Sequence, residues 1–147
     1  MNFPTRYLPK TLVSRDKQRQ YNMLVKSKTQ YKKHKYYTRK RLPSFKSKTS
    51  KHILRARSIY NVKHIGPTNE LARKTGCKRS ALRAIIRKGE GAYYSSGSRP
   101  NQTPQSWGVA RLASAITSGK AAKVDYDIIK NGCDHKKKAF IMAQQLS

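Results

Sequence analysis

Positive charge with almost no negative charge to answer it sets the first limit on what this chain can fold into. Residues 1–64 carry 19 Lys and Arg against one acid, Asp16, and residues 65–147 carry 15 against five. The net charge of the 147 residues is +28. Self-repulsion on this scale disfavours a compact isolated state unless counter-ions or an anionic partner stand close by. The partner class is therefore nucleic acid, an acidic protein surface or an anionic membrane face. The charge gradient also divides the chain into a basic N-terminal arm with one amphipathic helix, residues 1–50, and a helical domain, residues 51–147.

Within the arm, Pro4 and Pro9 disfavour helix at the residues before them, so residues 1–13 are expected to be extended and to lie across a neighbour. Ser14 reads as an N-cap, with Asp16 in the first turn, for a helix running to about His34. Its apolar residues Tyr21, Leu24, Val25 and Tyr31 make a stripe too narrow to fold alone. The segment from Lys32 to Lys51 interleaves cations, among them Arg39, Lys40 and Arg41, with Tyr36, Tyr37 and Phe45. Cations answer phosphates and rings stack on bases, so this composition suits nucleic acid. It equally suits a solvated basic linker whose rings dock on the same chain. A second helix is expected from about Ser50 to Val62.

The clearest supersecondary pattern is PTNELARKTGCKRSALRAIIRKG, residues 67–89. Thr68 or Asn69 caps a short helix that Gly76 ends. A second helix starts near Lys78, with Ala81, Leu82, Ile85 and Ile86 inward. This is a helix-turn-helix-like pair. It would present Lys78, Arg79, Arg83 and Arg87 outward, to a DNA groove or its phosphates, unless the pair serves packing alone. Gly89 and Gly91 read as the helix terminator.

A long Gly/Ser/Pro loop follows, up to Thr103. Its hydroxyls, amides and Arg99 can cradle a phosphate, but pinning by Tyr93, Tyr94 and Trp107 makes a specific structural loop the better reading. Thr103 and Pro104 form a helix start with Pro at the first position. Trp107, Ala110, Leu112, Ala113 and Ile116 would line the packed side of that helix. Beyond Gly119, one short helix with Val124, Ile128 and Ile129 buried is expected to end at Asn131 and Gly132. Asp134 then caps a last helix carrying Ala139, Phe140, Ala143 and Leu146. The fold class is mainly α: a small helical domain with the paired helices, the long loop and the extended basic arm.

Catalytic chemistry has little to stand on. The six carboxylates are scattered, the four histidines fall into no ligand spacing, and Ser95, Ser96 and Ser98 lack a nucleophile elbow. No enzyme activity, metal, cofactor or small-molecule substrate is expected. Cys77 and Cys133 belong to no C-x-x-C pair, and both read as reduced thiols of an intracellular assembly compartment.

The run GAYYSSGSRPNQTPQSWGVARLASAITSGKAAKVDYDII, preceded by LPKTL, KYYTRKRLPSFKSKTSKH and ELARKTGCKRSALRAIIRKG, resembles an uncharacterised family of small basic proteins from large DNA viruses, the algal and amoebal ones in particular. The resemblance spans about residues 7–133. It implies a virion or virus-factory protein, and no activity. The expected function is that of a non-catalytic minor capsid or cement protein on the inner side of the capsid, assembled in the host cytoplasm. Its expected partners are major and other minor capsid proteins, with viral DNA or an anionic inner membrane surface against its cations. The competing expectation is a DNA-binding protein that uses residues 67–89 as a helix-turn-helix and residues 32–51 as a phosphate clamp, for genome packaging or regulation.

Overall fold

The computed structural model describes residues 1–146. It holds a 3-10 turn, Thr5–Tyr7, and eight helices: α1 (Ser14–Lys32), α2 (Lys51–Tyr60), α3 (Asn69–Thr75), α4 (Arg79–Ser95), α5 (Pro104–Ala115), α6 (Lys120–Val124), α7 (Tyr126–Gly132) and α8 (Lys138–Gln144). No strand occurs among the described residues, so the class is mainly α. The chain forms two compact units. Unit 1 combines Met1–Lys48 with Glu90–Trp107, and unit 2 combines Thr49–Gly89 with Gly108–Ser147. The first break falls between Lys48 and Thr49. The segment 90–107, however, belongs with the N-terminal residues.

Unit 2 has an apolar core. Ala56 and Tyr60 of α2, Leu71 of α3, Leu82 and Ile85 of α4, Leu112 and Ile116 of α5, Ile129 of α7 and Phe140 of α8 bury into one cluster. The Tyr60 hydroxyl donates to the Ile116 carbonyl, and burial pushes its pKa up. Local signals set several helix ends. The Ser50 hydroxyl accepts from the His52 amide, and Thr68 accepts from the Leu71 amide at 3.1 Å. Gly76 closes α3 at φ +81°, a conformation that costs a residue without Cβ nothing.

Gly89 does not terminate α4, which runs through both Gly89 and Gly91 to Ser95. Gly89 is instead a contact surface. A Cβ there would fall 2.5 Å from the Gly108 Cα of α5, and one on Gly108 would fall 2.5 Å from the Ile86 carbonyl oxygen. Two glycines thus let α4 and α5 cross with their backbones almost touching. Packing outweighs the roughly 1 kcal/mol that glycine costs inside a helix.

The region after Gly119 forms two helices, α6 and α7, broken at Asp125, rather than one. Asp125 is buried and accepts from Arg111 through Nε and Nη2, both at 2.8 Å, with the Lys88 ammonium at 3.4 Å. This bidentate pairing raises the Arg111 pKa against the opposing effect of burial. Val124, expected in the core, is the last residue of α6 and is 68% exposed; Ala122 is the residue that α6 buries. Asp134 caps no helix. It holds the Lys136 amide at 2.9 Å in the turn before α8, whose N-cap residue is Lys137.

Cys77 and Cys133 form a disulfide, which corrects the expectation of two free thiols. They face each other as an isolated antiparallel bridge, flanked by Lys78 N–H to Gly132 O at 2.8 Å and Asp134 N–H to Gly76 O at 2.7 Å. That pattern makes them a non-hydrogen-bonded pair, in which side chains stand closest. Residues 56 apart in sequence gave no sign of this meeting.

In unit 1, residues 1–13 do not reach outward. The terminal amine donates to the Tyr21 hydroxyl, Phe3 stacks edge-on against Tyr21, and Gln20 of α1 donates to the Tyr7 carbonyl. The N-cap of α1 is Val13, without a side-chain bond, so Ser14 is already helical. The buried residues of α1 are Asp16, Gln20, Leu24 and Ser27. Three of these four are polar, and an apolar-stripe reading passes over them.

Candidate polyanion-binding surface

In unit 2 the candidate residues lie on the helix pair α3–α4. Its turn, Gly76–Lys78, is held by the Thr75 hydroxyl, which accepts from the Cys77 amide at 3.1 Å and donates to the Leu71 carbonyl at 2.7 Å. The two backbone bonds to residues 132 and 134 and the disulfide fix it further. Ala81, Leu82 and Ile85 are buried, and Lys78, Arg79, Arg83 and Arg87 are all exposed. Spacing of four places Arg79, Arg83 and Arg87 along one helical face. Arg79 also reaches back to the Pro67 carbonyl at 3.2 Å, so its guanidinium starts from a fixed position. A shallow open groove beside the turn is lined by Lys78, Ser80, Asp127 and Asn131.

Unit 1 carries its own cationic candidates, and here one expected residue is lost. Lys40 and Arg41 are exposed, but Arg39 is 7% exposed and turned inward. Its Nη1 donates to the Ser27 hydroxyl at 2.8 Å and the Tyr93 carbonyl at 3.0 Å, and its Nη2 donates to the Ser98 hydroxyl at 2.8 Å. The guanidinium carbon lies 3.8 Å from the centre of the Tyr93 ring. The Arg39 amide donates to the Tyr93 hydroxyl at 2.8 Å. Burial lowers the Arg39 pKa, and Tyr93 opposes that shift. Burial raises the Tyr93 pKa, with Arg39 opposing. Buried, with three of its five N–H donors committed to this clamp, Arg39 has a structural role and is withdrawn from any polyanion.

Arg39 also explains the loop. Since α4 takes residues up to Ser95, the loop shrinks to residues 96–103. Tyr93 reaches it through Arg39, which donates to Ser98; Tyr94 packs edge-on against Tyr93, while Trp107 meets Tyr7 at 6.0 Å. Ser98 and Asn101 complete the hold. The Asn101 side chain accepts from the Leu42 amide at 2.6 Å and donates to the Leu42 and Phe45 carbonyls. Thr103 and Ser106 exchange reciprocal side-chain to amide bonds at the start of α5. Arg99 is exposed beside this fixed loop and can meet an anion. Sequence reasoning missed Ser98, Asn101 and Asp125, because each answers a partner distant in the chain.

Among the described residues no group of three or more His, Cys, Asp or Glu is placed to hold a metal ion, and no helix is long and apolar enough to cross a membrane. Fold and surface together define a small, basic, mainly α protein with a disulfide and a helix-turn-helix-like pair. The chain belongs to a family of unknown function, DUF5824, whose model matches residues 4–133. Comparison with curated proteins and with solved structures finds no match.

Proposed function

We infer that this protein is a non-catalytic structural component of a large DNA virus particle, a minor capsid or cement protein on the inner side of the shell. The distribution of charge carries the reading. Of the 34 Lys and Arg, Arg39 alone is buried, whereas two of the six acids, Asp16 and Asp125, are buried. The exterior is thus even less balanced than the sequence, and it calls for a polyanionic surface nearby. The inner side of a capsid supplies one in the genome or an anionic membrane. Leu54 and Val124, both more than half exposed, offer apolar contacts to major or other minor capsid proteins. The resemblance of residues 7–133 to basic proteins of algal and amoebal viruses agrees with this.

The test is the protein's position in a purified particle. Symmetry-ordered density beneath the major capsid shell is expected. Release of the protein solely with the genome would overturn the shell assignment.

A second reading, duplex-DNA binding through α3–α4, is favoured by the row Arg79, Arg83 and Arg87 on the face of α4 opposite its buried residues. It predicts affinity for duplex DNA that falls steeply with salt and is abolished by Arg79→Glu with Arg83→Glu. Unchanged affinity in that double variant rules out α4 as the contact.

A further inference from the structure

We propose that Tyr36, with the lysines around it, is a stacking site for single-stranded nucleic acid in unit 1. The site follows from how the chain leaves α1. Lys33 and Lys35 amides both donate to the Gln30 carbonyl, at 3.0 and 2.9 Å, and the His34 amide donates to the Tyr31 carbonyl at 2.9 Å. His34 adopts a left-handed φ of +60°. The chain therefore reverses within three residues and sets Tyr36 beside the helix it has just left.

There Tyr36 joins a chain of rings. It lies 6.2 Å from Tyr31 and 5.0 Å from Tyr94, and Tyr94 lies 5.2 Å from Tyr93. Tyr93 is fully buried beneath the Arg39 guanidinium. The row thus runs from a locked interior ring to a surface ring. Tyr36 is 69% exposed and Tyr31 is 39% exposed. A ring anchored by two neighbours yet left open is already ordered, so covering its face costs little conformational entropy.

The surroundings select the ligand. Residues 17–69 contain no acid. Lys32, Lys33, Lys35, Lys40 and Arg41, which flank Tyr36 in the sequence, are exposed, and the Lys26 ammonium stands 4.4 Å from the ring centre of the adjacent Tyr37. Cations that track a phosphate backbone beside an aromatic face form the combination that holds unpaired strands. A duplex keeps its base faces stacked internally and offers Tyr36 nothing but phosphate. The inference does not rest on the position in a capsid.

The experiment measures binding of the full-length protein to a labelled oligo(dT), to a duplex of equal length and to phosphatidylserine vesicles, at one salt concentration. Tyr36→Ala is expected to weaken oligo(dT) binding about tenfold or more and Tyr36→Phe to retain it, with duplex binding changed less than about twofold in both. Should Tyr36→Ala disturb unit 1, Tyr36→Leu keeps an apolar anchor without a π face and is expected to show the same selective loss. Undiminished oligo(dT) binding by either folded variant overturns the proposal. So does an equal loss on duplex and single strand, which would mean charge or fold alone. Vesicle binding that depends on Tyr36, without oligo(dT) binding, would assign the ring to a membrane surface instead. Because particle position is read separately, failure here leaves the shell assignment standing, and the reverse also holds.

Discussion

Unit 2 gathers apolar side chains from every helix from α2 to α8 into one cluster, with four buried polar residues, Thr75, Ser114, Thr117 and Asp125, beside it, and adds a covalent link between Cys77 and Cys133. Unit 1 buries Tyr7, Leu12, Leu24, Leu42 and Tyr93 beside an equal number of polar residues, Asp16, Gln20, Ser27, Arg39 and Ser98. The first arrangement is tolerant, since apolar burial is non-directional and adds over many atoms. The second is exacting, because each buried polar group depends on a particular partner and a lost partner leaves a desolvation cost. A chain crowded with cations can therefore be ordered in two ways: by keeping cations out of a mainly apolar core whose one buried carboxylate, Asp125, is answered by Arg111 and Lys88, or by bringing one cation in and surrounding it with neutral acceptors and a ring.

Removing the disulfide probes this contrast most strongly. A link closing a 56-residue separation stabilises by about 4 kcal/mol in the chain-entropy account. Reduction, or Cys77→Ser with Cys133→Ser, is expected to lower hydrogen-exchange protection in unit 2 by that order and leave unit 1 amides near Arg39 largely protected. Parallel loss in both units would show one cooperative body and break the comparison.

Arg39→Ala is next, with an expected cost of about 3 kcal/mol, since Ser27, the Tyr93 carbonyl and Ser98 all lose a charged donor. The opening should appear in unit 1. Arg39→Lys should recover little, because an ammonium cannot reproduce the planar fork that reaches these acceptors. Full stability in Arg39→Lys, measured by urea unfolding, would mean the charge matters and the fork does not.

The smallest effect concerns acid. The Asp16 Oδ2 accepts from the Ser44 amide at 3.0 Å, Arg19 lies 3.8 Å from Oδ1, and Oδ1 is buried without a hydrogen bond. Hydrogen bonding to Ser44 holds the carboxyl below its ordinary value of 3.8, against burial and with help from Arg19 and Arg15. A depressed folded-state value contributes stability that is full above the unfolded pKa and is lost as pH falls through the folded one. Unit 1 should thus weaken as pH drops below about 4, and Asp16→Asn should flatten that dependence while leaving unit 2 unchanged. A flat profile in the unaltered protein would remove Asp16 from the account of unit 1.

Much of the helical layout could be read from local chemistry. Ser50, Thr68, Gly76 and the Thr103–Pro104 start mark ends that the backbone obeys, and the inward positions of α4 follow helical spacing. The candidate surface was legible where it rests on the same spacing, at Lys78, Arg79, Arg83 and Arg87. It was misread at Arg39, since an arginine in a basic run looks the same whether its fork meets solvent or three distant acceptors. Gly89 and Gly91 were misread for a related reason. Glycine ends a helix in isolation, but at Gly89 a neighbouring backbone 2.5 Å from an imagined Cβ makes glycine a requirement inside one.

The sequence by itself determined the mainly α class, most helix positions and the cationic exterior, because capping, periodicity and net charge act over a few residues or over the whole composition. Tertiary structure alone decided the Cys77–Cys133 link, the inward turn of Arg39, the Asp125 pairing and the open ring of Tyr36. Each of these depends on which distant segments meet, and that is fixed by packing that no local pattern encodes.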